Sequence, residues 1–261
     1  MNDLSLEAVR NGLRTNFLGQ HVRFYATVSS TNSTAKNLAQ QGAVEGTLVI
    51  ADEQTAGRGR LGRRWLAPPA SCLLFSLIFR PELGVSHAQR LTMVCGLGVT
   101  EGIREATGLR ARLKWPNDIM LGSRKAGGIL TEASSTGEHL DNIVVGIGLN
   151  VNLQVTALPN EFNATSIEHE LGHQIPRVGL LQRILMHIEE RYSALQAGQS
   201  PVQDWAAALE TLGRQVELHT EQGTWQGLAA AVDDEGALLL RLDDGQLRRV
   251  LVGDILPRQE A

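Results

Sequence analysis

Residues 113–134 read LKWPNDIMLGSRKAGGILTEAS, and residues 143–153 read IVVGIGLNVNL. Both stretches are apolar runs broken by turn residues, first Gly122-Ser123 and then STGEHLDN at 135–142. Turns this short cannot carry a crossover helix, so the runs they join must be antiparallel neighbours. The region 110–153 is therefore a meander and not a βαβ array. With helical patterns on either side, it places the chain in the α+β class: a mixed, largely antiparallel sheet flanked by helices.

Upstream, Leu4, Leu6, Val9 and Leu13 predict a short amphipathic helix over 4–18, followed by a strand at HVRFYATV. The polar residues 29–32 lead into a helical STAKNLAQQG, with Thr31 or Asn32 as its N-cap. GTLVIADEQT and CLLFSLIFRP read as strands, the second ended by Pro81. From Leu91, apolar and small residues recur at helical spacing, and the small ones imply close packing against a sheet. Helices are expected at 178–197 and 201–212. From Gly213 onward, QVELHT, TWQGLAAAV, ALLLRL and QLRRVLV are short strands separated by EQG, DDEG and DDG. That divides the chain into residues 1–212 and a small all-β barrel at 213–261, too small to be very stable alone.

The chain has 261 residues, a formal net charge of -4 and two cysteines. The acidic balance argues against a general DNA, RNA or membrane-surface binder. Cys72 and Cys95 sit in apolar runs and are too few for a disulfide framework or a cysteine-rich zinc site. No signal peptide or membrane-spanning run is visible, so the expected location is the cytoplasm. His169 and His173 lack the helical zinc-protease pattern and read as surface residues.

Against that acidity stands GRGRLGRRW at 57–65, four arginines among three glycines. Such a segment is either a basic surface loop or a phosphate cradle. In a cradle, glycines let the backbone approach an anion and guanidinium forks grip it. In KWPNDIM (114–120), Pro116 fixes the chain before Asn117 and Asp118, which form either a plain turn or an amide and carboxylate aimed from a strand end. KAGGIL (125–130) sets Lys125 before Gly127 and Gly128, and a glycine pair inside a strand marks a bulge or close passage of a ligand. Asn150, among hydrophobic residues, is either a backbone clamp or a reader of a ligand edge.

In this order, SSTN (29–32), DEQTAGRGRLGRRW, KWPNDIM, KAGGILTE and GIGLNV resemble the biotin protein ligases, also called biotin–[acetyl-CoA-carboxylase] ligases. The resemblance runs from about residue 21 to the C-terminus, since the small β domain is similar to that family's SH3-like module. It implies a class II synthetase-like, biotin/lipoate ligase-like fold. Residues 1–20 are too few for the winged helix-turn-helix of repressor members, so it implies a monofunctional ligase that does not bind DNA. The implied substrates are ATP and biotin, with Mg²⁺ sharing the phosphate charge. The implied partner is the acceptor lysine of a biotin carboxyl carrier protein. A homodimer is also possible, with IVVGIGLNV either pairing across a two-fold axis or lying inside its own sheet.

Carried over residue by residue, the resemblance makes Lys125, Arg58 and Arg60 catalytic. Biotin would be held by Ser30, Thr31, Asn32, Gln54, Arg58, Gly59, Arg60, Lys125, Gly127 and Gly128. ATP and the adenylate would be held by Arg60, Arg63, Asn117, Asp118, Lys125 and Asn150, with Asp118 the carboxylate for magnesium. The arginine loop would be mobile when empty and close over the adenylate. Two positions depart from the pattern. Ala70 stands where relatives often have glycine, which matters if its φ is positive, and Arg258, a nucleotide-facing candidate, has Pro257 beside it. The rival readings are a lipoate ligase, a non-catalytic biotin sensor and an RNA binder.

Overall fold

The computed structural model describes residues 3–137, 139–157 and 163–257; Arg258 lies outside the described residues. Seven strands form the main sheet. They are β1 (Val22–Val28), β2 (Leu48–Gln54), β3 (Cys72–Phe79), β4 (Ala111–Lys114), β5 (Asp118–Leu121), β6 (Arg124–Thr136) and β7 (His139–Asn150), in the order β1-β2-β3-β7-β6-β5-β4. The meander β4 to β7 is antiparallel throughout, as the short turns require. One parallel pair departs from it: β1 and β2 run alongside each other, joined by a helix, which makes a single βαβ unit at the edge. β7 is hydrogen-bonded to β3 on one side and β6 on the other. It is interior to its own sheet and presents no free edge to a second copy.

The helices are α1 (Leu6–Arg10), α2 (Thr31–Gln40), α3 (Gln89–Thr107), α4 (Ile167–Leu171), α5 (Arg177–Gln196) and α6 (Val202–Ala208). α1 is shorter than the apolar spacing suggests. Gly12 turns with φ 90°, and the N–H groups of Asn16, Phe17 and Leu18 go to the Glu189 carboxylate instead of a helix. The α2 cap is Ser30, one residue before the expected position, with its hydroxyl accepting from Ser33 N–H at 3.5 Å. Thr31 and Asn32 thus fall in the first turn and are buried against the sheet. α6 stops at Ala208 because Leu209 pairs with Leu113, and Glu210 N–H donates to the Leu113 carbonyl.

One face of the sheet carries Phe75, Ile129, Ile147 and Leu149 and is covered by α3 and α5 in a single large core. The small residues of α3 serve a helix contact more than a sheet contact. A Cβ on Gly98 or Gly102 would lie 2.6 Å and 2.7 Å from side-chain atoms of Ile188 and Ile184 on α5, closer than any real contact. The other face carries α2 at one end and is open at the other.

Five further strands, β8 (Gln215–Thr220), β9 (Gly223–Val232), β10 (Leu238–Leu242), β11 (Leu247–Val250) and β12 (Asp254–Pro257), make a separate antiparallel sheet in the order β11-β10-β9-β8-β12. β12 was not evident from the sequence; it closes back on β8. This sheet docks through Trp115, whose indole N–H donates to the Gly236 carbonyl at 3.0 Å. Among the described residues, no helix is long and apolar enough to cross a membrane.

Candidate active site

The open face of the sheet is built around three glycines. Strand pairing sets Gly128 opposite Gly148 and Gly146 opposite both Leu130 and Ser76, so Gly128, Gly146 and Gly148 share one face. Their missing side chains leave the floor of a cleft of ≈ 890 Å³. A Cβ on Gly146 would lie 1.9 Å from Asn32 Oδ1, and one on Gly148 would lie 2.7 Å from the Trp65 ring. Gly127 points the other way, against the Gly148 carbonyl and Ile119, and does not line the cleft.

At the α2 end, the floor is a hydrogen-bonded set. Thr31 donates from its N–H (2.7 Å) and hydroxyl (3.1 Å) to Gln54 Oε1, so the Gln54 Nε2 amide is left unengaged among the described residues. Ser76 Oγ lies 2.6 Å from Asn32 Oδ1 and 2.9 Å from Thr31 Oγ1. Asn32 Nδ2 donates both to the Leu130 carbonyl (3.0 Å) and to Glu132 (2.9 Å).

At the β4–β5 end, a β-bulge decides the geometry. Asp118 pairs with Gly128 and Ile119 with Gly127, but Met120 pairs with Lys125, leaving Ala126 as the extra residue. Without that bulge, alternation would put Lys125 on the face opposite Asp118. With it, Lys125 Nζ reaches Asp118 Oδ1 at 2.5 Å and stands 6.0 Å from the Trp65 ring centroid. Asn117 is pinned by its Nδ2 on the Ile129 carbonyl at 2.6 Å. Asn150 is buried, with Nδ2 on the Thr165 carbonyl (2.9 Å) and Oδ1 near the Cys72 thiol (3.6 Å). Its amide therefore has the partners of a backbone clamp.

The roof is residues 57–65. It folds as a tight hairpin, with Gly59 N–H on the Arg63 carbonyl (2.7 Å) and Trp65 N–H on the Gly57 carbonyl (2.9 Å). Its tip has Leu61 in the left-handed region, φ 54°. Arg58 reaches Ser33 (3.1 Å) and Glu132 (3.4 Å), while Arg60 reaches Asn117 Oδ1 (3.2 Å) and the Gly253 carbonyl (3.4 Å). Arg63 is paired with Asp254 of β12. Burial lowers the Arg60 pKa, an effect opposed by Asp254 and Asp118; a guanidinium half out of water favours an anion beside it. Ala70, beyond the roof, has φ 59°, a left-handed conformation that a glycine would adopt at less cost.

Of the residues singled out from the sequence, Ser30, Thr31, Asn32, Gln54, Arg58, Gly59, Arg60, Arg63, Asn117, Asp118, Lys125, Gly128 and Asn150 come together on this one cleft, and Gly127 does not. Sequence reading overlooked Trp65 as a wall, Lys114 on the rim, and Ser76 and Glu132 on the cleft face of the sheet beside α2. Ser76 carried a signal, being the one polar residue inside CLLFSLIF. Glu132 carried little, since one glutamate within a strand reads as an ordinary solvent-facing position, although it closes the KAGGILTE motif.

The biotin/lipoate A/B protein ligase family matches residues 24–150, and the biotin protein ligase C-terminal domain matches residues 211–256. The bifunctional ligase/repressor BirA of Bacillus subtilis is 39% identical over 97% of this chain and 78% of its own length. The biotin–[acetyl-CoA-carboxylase] ligase of Paracoccus denitrificans is 35% identical over 83% of this chain and 92% of its own. Among solved structures, the biotin protein ligase of Aquifex aeolicus in complex with biotin and ATP superposes with a TM-score of 0.76 at 30% identity, covering 92% of this chain and 100% of that one. Sequence relationship over almost the whole chain and a shared architecture on both sheets lead to one assignment: this chain belongs to the biotin protein ligase family.

Proposed function

We propose that this chain activates biotin with ATP as biotinyl-5′-AMP and transfers the biotinyl group to a lysine of a biotin carboxyl carrier protein. The observation that carries the reading is the convergence of Lys125, Arg58 and Arg60 over a glycine floor whose far end offers only neutral hydrogen-bonding groups. In the first step a biotin carboxylate oxygen bonds to the α-phosphorus and pyrophosphate leaves. In the second, the acceptor amine bonds to the biotinyl carbonyl carbon, AMP leaves and the amine proton is lost. The first step joins two anions, so the protein's task is to neutralise and align them. Lys125 serves this role at the carboxylate and α-phosphate, with Arg58 and Arg60 closing from above.

The neutral end suits the ureido ring. Gln54 Nε2 is a free donor and Asn32 Oδ1 keeps a lone pair, so a carbonyl and an N–H can both be matched, with Ser30 and Thr31 beside them. Gly128 allows close approach of the ligand, while Gly59 lets the roof come down. Asn117, Asp118 and Arg63 serve the nucleotide side. Asn150, with its amide engaged, supports that side by holding residue 165 against the Lys125 strand. Asp118 is a single carboxylate, and no cluster of three or more metal-ligating side chains occurs among the described residues. That donor set fits a Mg²⁺ arriving on the triphosphate, where it would neutralise phosphate charge, and does not fit a resident metal. We take residues 1–212 as the catalytic unit and 213–261 as the appended barrel. Two buried free cysteines accord with a cytoplasmic location.

The test is pyrophosphate release from ATP with biotin or lipoate as the sole acid and no acceptor protein. Release with biotin alone, reduced at least about a hundredfold in Lys125→Ala, is expected. Release with lipoate instead would overturn the substrate, and release with neither would overturn the activity.

A further inference from the structure

Glu132 stands outside the cleft lining, yet it touches both the floor and the roof. Its Oε2 accepts from Asn32 Nδ2 at 2.9 Å and from Arg58 Nη2 at 3.4 Å, and its Oε1 accepts from Lys36 Nζ at 3.0 Å. The side chain is 20% exposed, so water competes only partly for these bonds. Asn32 cannot turn freely. Its Nδ2 is shared between Glu132 and the Leu130 carbonyl, and its Oδ1 is met by Ser76 at 2.6 Å. Removing the Glu132 anion would free one amide hydrogen and, among the described residues, leave only the Ser33 hydroxyl to hold the Arg58 guanidinium.

The charge state supports an anion here. Burial pushes the Glu132 carboxyl up, but hydrogen bonds from Asn32 and Lys36 and the charges of Lys36 and Arg58 outweigh it, holding it below the usual carboxylate range.

We propose that Glu132 is a positioning residue that couples the two halves of the site: it fixes the Asn32 amide that faces the bound acid and anchors the first arginine of the roof that retains the adenylate. This rests on the ligase reading above. Glu132 touches no reacting atom; it acts through Asn32 and Arg58. Because Arg58 sits at the start of the hairpin, its anchor sets where the whole segment 57–65 begins its course over the cleft. The link joins three parts of the fold, since Glu132 on β6 makes the ion pair to Lys36 of α2 and the ion pair to Arg58 of the roof.

Two substitutions separate the two arms. Glu132→Gln keeps an oxygen for Asn32 but offers Arg58 no anion, whereas Glu132→Ala removes both. In enzyme preloaded with biotin and ATP, without acceptor protein, Glu132→Gln is expected to release biotinyl-AMP about threefold to tenfold faster than wild type, the scale of one partly exposed charge-assisted bond. Its KM for biotin should stay within about twofold, because Asn32 keeps its partner, while Glu132→Ala should raise KM as well. Lys36→Met, which removes a Glu132 ion pair of similar length without touching Asn32 or Arg58, should release adenylate at the wild-type rate. In an Arg58→Ala background, Glu132→Gln should add nothing further. Equal leakage from Glu132→Gln and Lys36→Met, additivity with Arg58→Ala, or wild-type retention by Glu132→Gln would each overturn the coupling. Wild-type enzyme that forms no adenylate at all would overturn the ligase reading instead.

Discussion

The floor of the cleft and its roof solve the problem of holding an anionic intermediate in opposite ways. The floor, β3, β6 and β7 with the first turn of α2, is buried and bonds to itself: Asn32, Ser76 and Thr31 are each at most 4% exposed, and each has partners. The roof, residues 57–65, is held by a short hairpin and by arginines whose anchors lie far away in sequence, at Glu132, Asn117 and Asp254. The roof region also carries backbone cost, since Leu61 and Ala70 both adopt positive φ without being glycine. A buried, mutually satisfied network is unlike a loop on exposed ion pairs: the first defines a shape, whereas the second can open at small expense. Under the proposed function, recognition belongs to the floor and retention to the roof.

The sharpest way to break that division is to fill the floor. Gly146→Ala drives a methyl into Asn32 Oδ1, an atom held by Ser76 and unable to swing away without losing bonds. Overpacking of this kind costs about 1–3 kcal/mol, and biotin affinity should fall by at least about tenfold, as read by calorimetric titration. Unchanged biotin affinity would show that Asn32 is not the limit of the floor.

Arg60→Ala should do the reverse. It takes a guanidinium from Asn117 and the Gly253 carbonyl but leaves the floor intact. Pyrophosphate release should persist at a reduced rate while adenylate escapes about tenfold faster and labels bystander lysines, as seen by blotting with a biotin-binding protein. Absence of both escape and labelling would remove the gate.

A smaller effect distinguishes the two regions by pH. The folded pKa of Glu132 is below the ordinary 4.5, so its contribution is fully present above that value and is lost as pH falls through the lower folded one. The stability difference between wild type and Glu132→Gln, from urea unfolding, should be level across neutral pH and shrink below about 4.5. A difference that shrank instead towards alkaline pH would contradict the assignment of an anion there.

The least effect is expected just beyond the roof, at Ala70. Ala70→Gly relieves a left-handed alanine, a gain of about 1–2 kcal/mol less about 0.4–1 kcal/mol for the added chain entropy of glycine, visible as a small rise in Tm with no change in biotin affinity. A drop in Tm would mean that the entropy term dominates.

Much of this molecule was legible because its signals are local. Short turns in 110–153 require an antiparallel meander, the turn signals EQG, DDEG and DDG after Gly213 mark off short strands, and GRGRLGRRW cannot be mistaken for core. The parallel β1–β2 pair was not legible, because a ten-residue helix between two strands permits either direction until packing decides. Nor was the N-cap of α2, displaced by one residue to Ser30 so that Thr31 and Asn32 could be buried.

What the sequence by itself determined is composition and period: which runs alternate, where they must turn, and that lysine, asparagine, aspartate and arginine are available near glycines. Only the tertiary structure decided which of these share a face. Alternation alone sends Lys125 away from Asp118; the bulge at Ala126 brings them to 2.5 Å. Arg63 and Asp254 are 191 positions apart and meet only when β12 closes on β8 beside the roof. Side-chain period is a property of one strand, but register is a sum over pairings and over packing on the opposite face, and no single segment contains that sum.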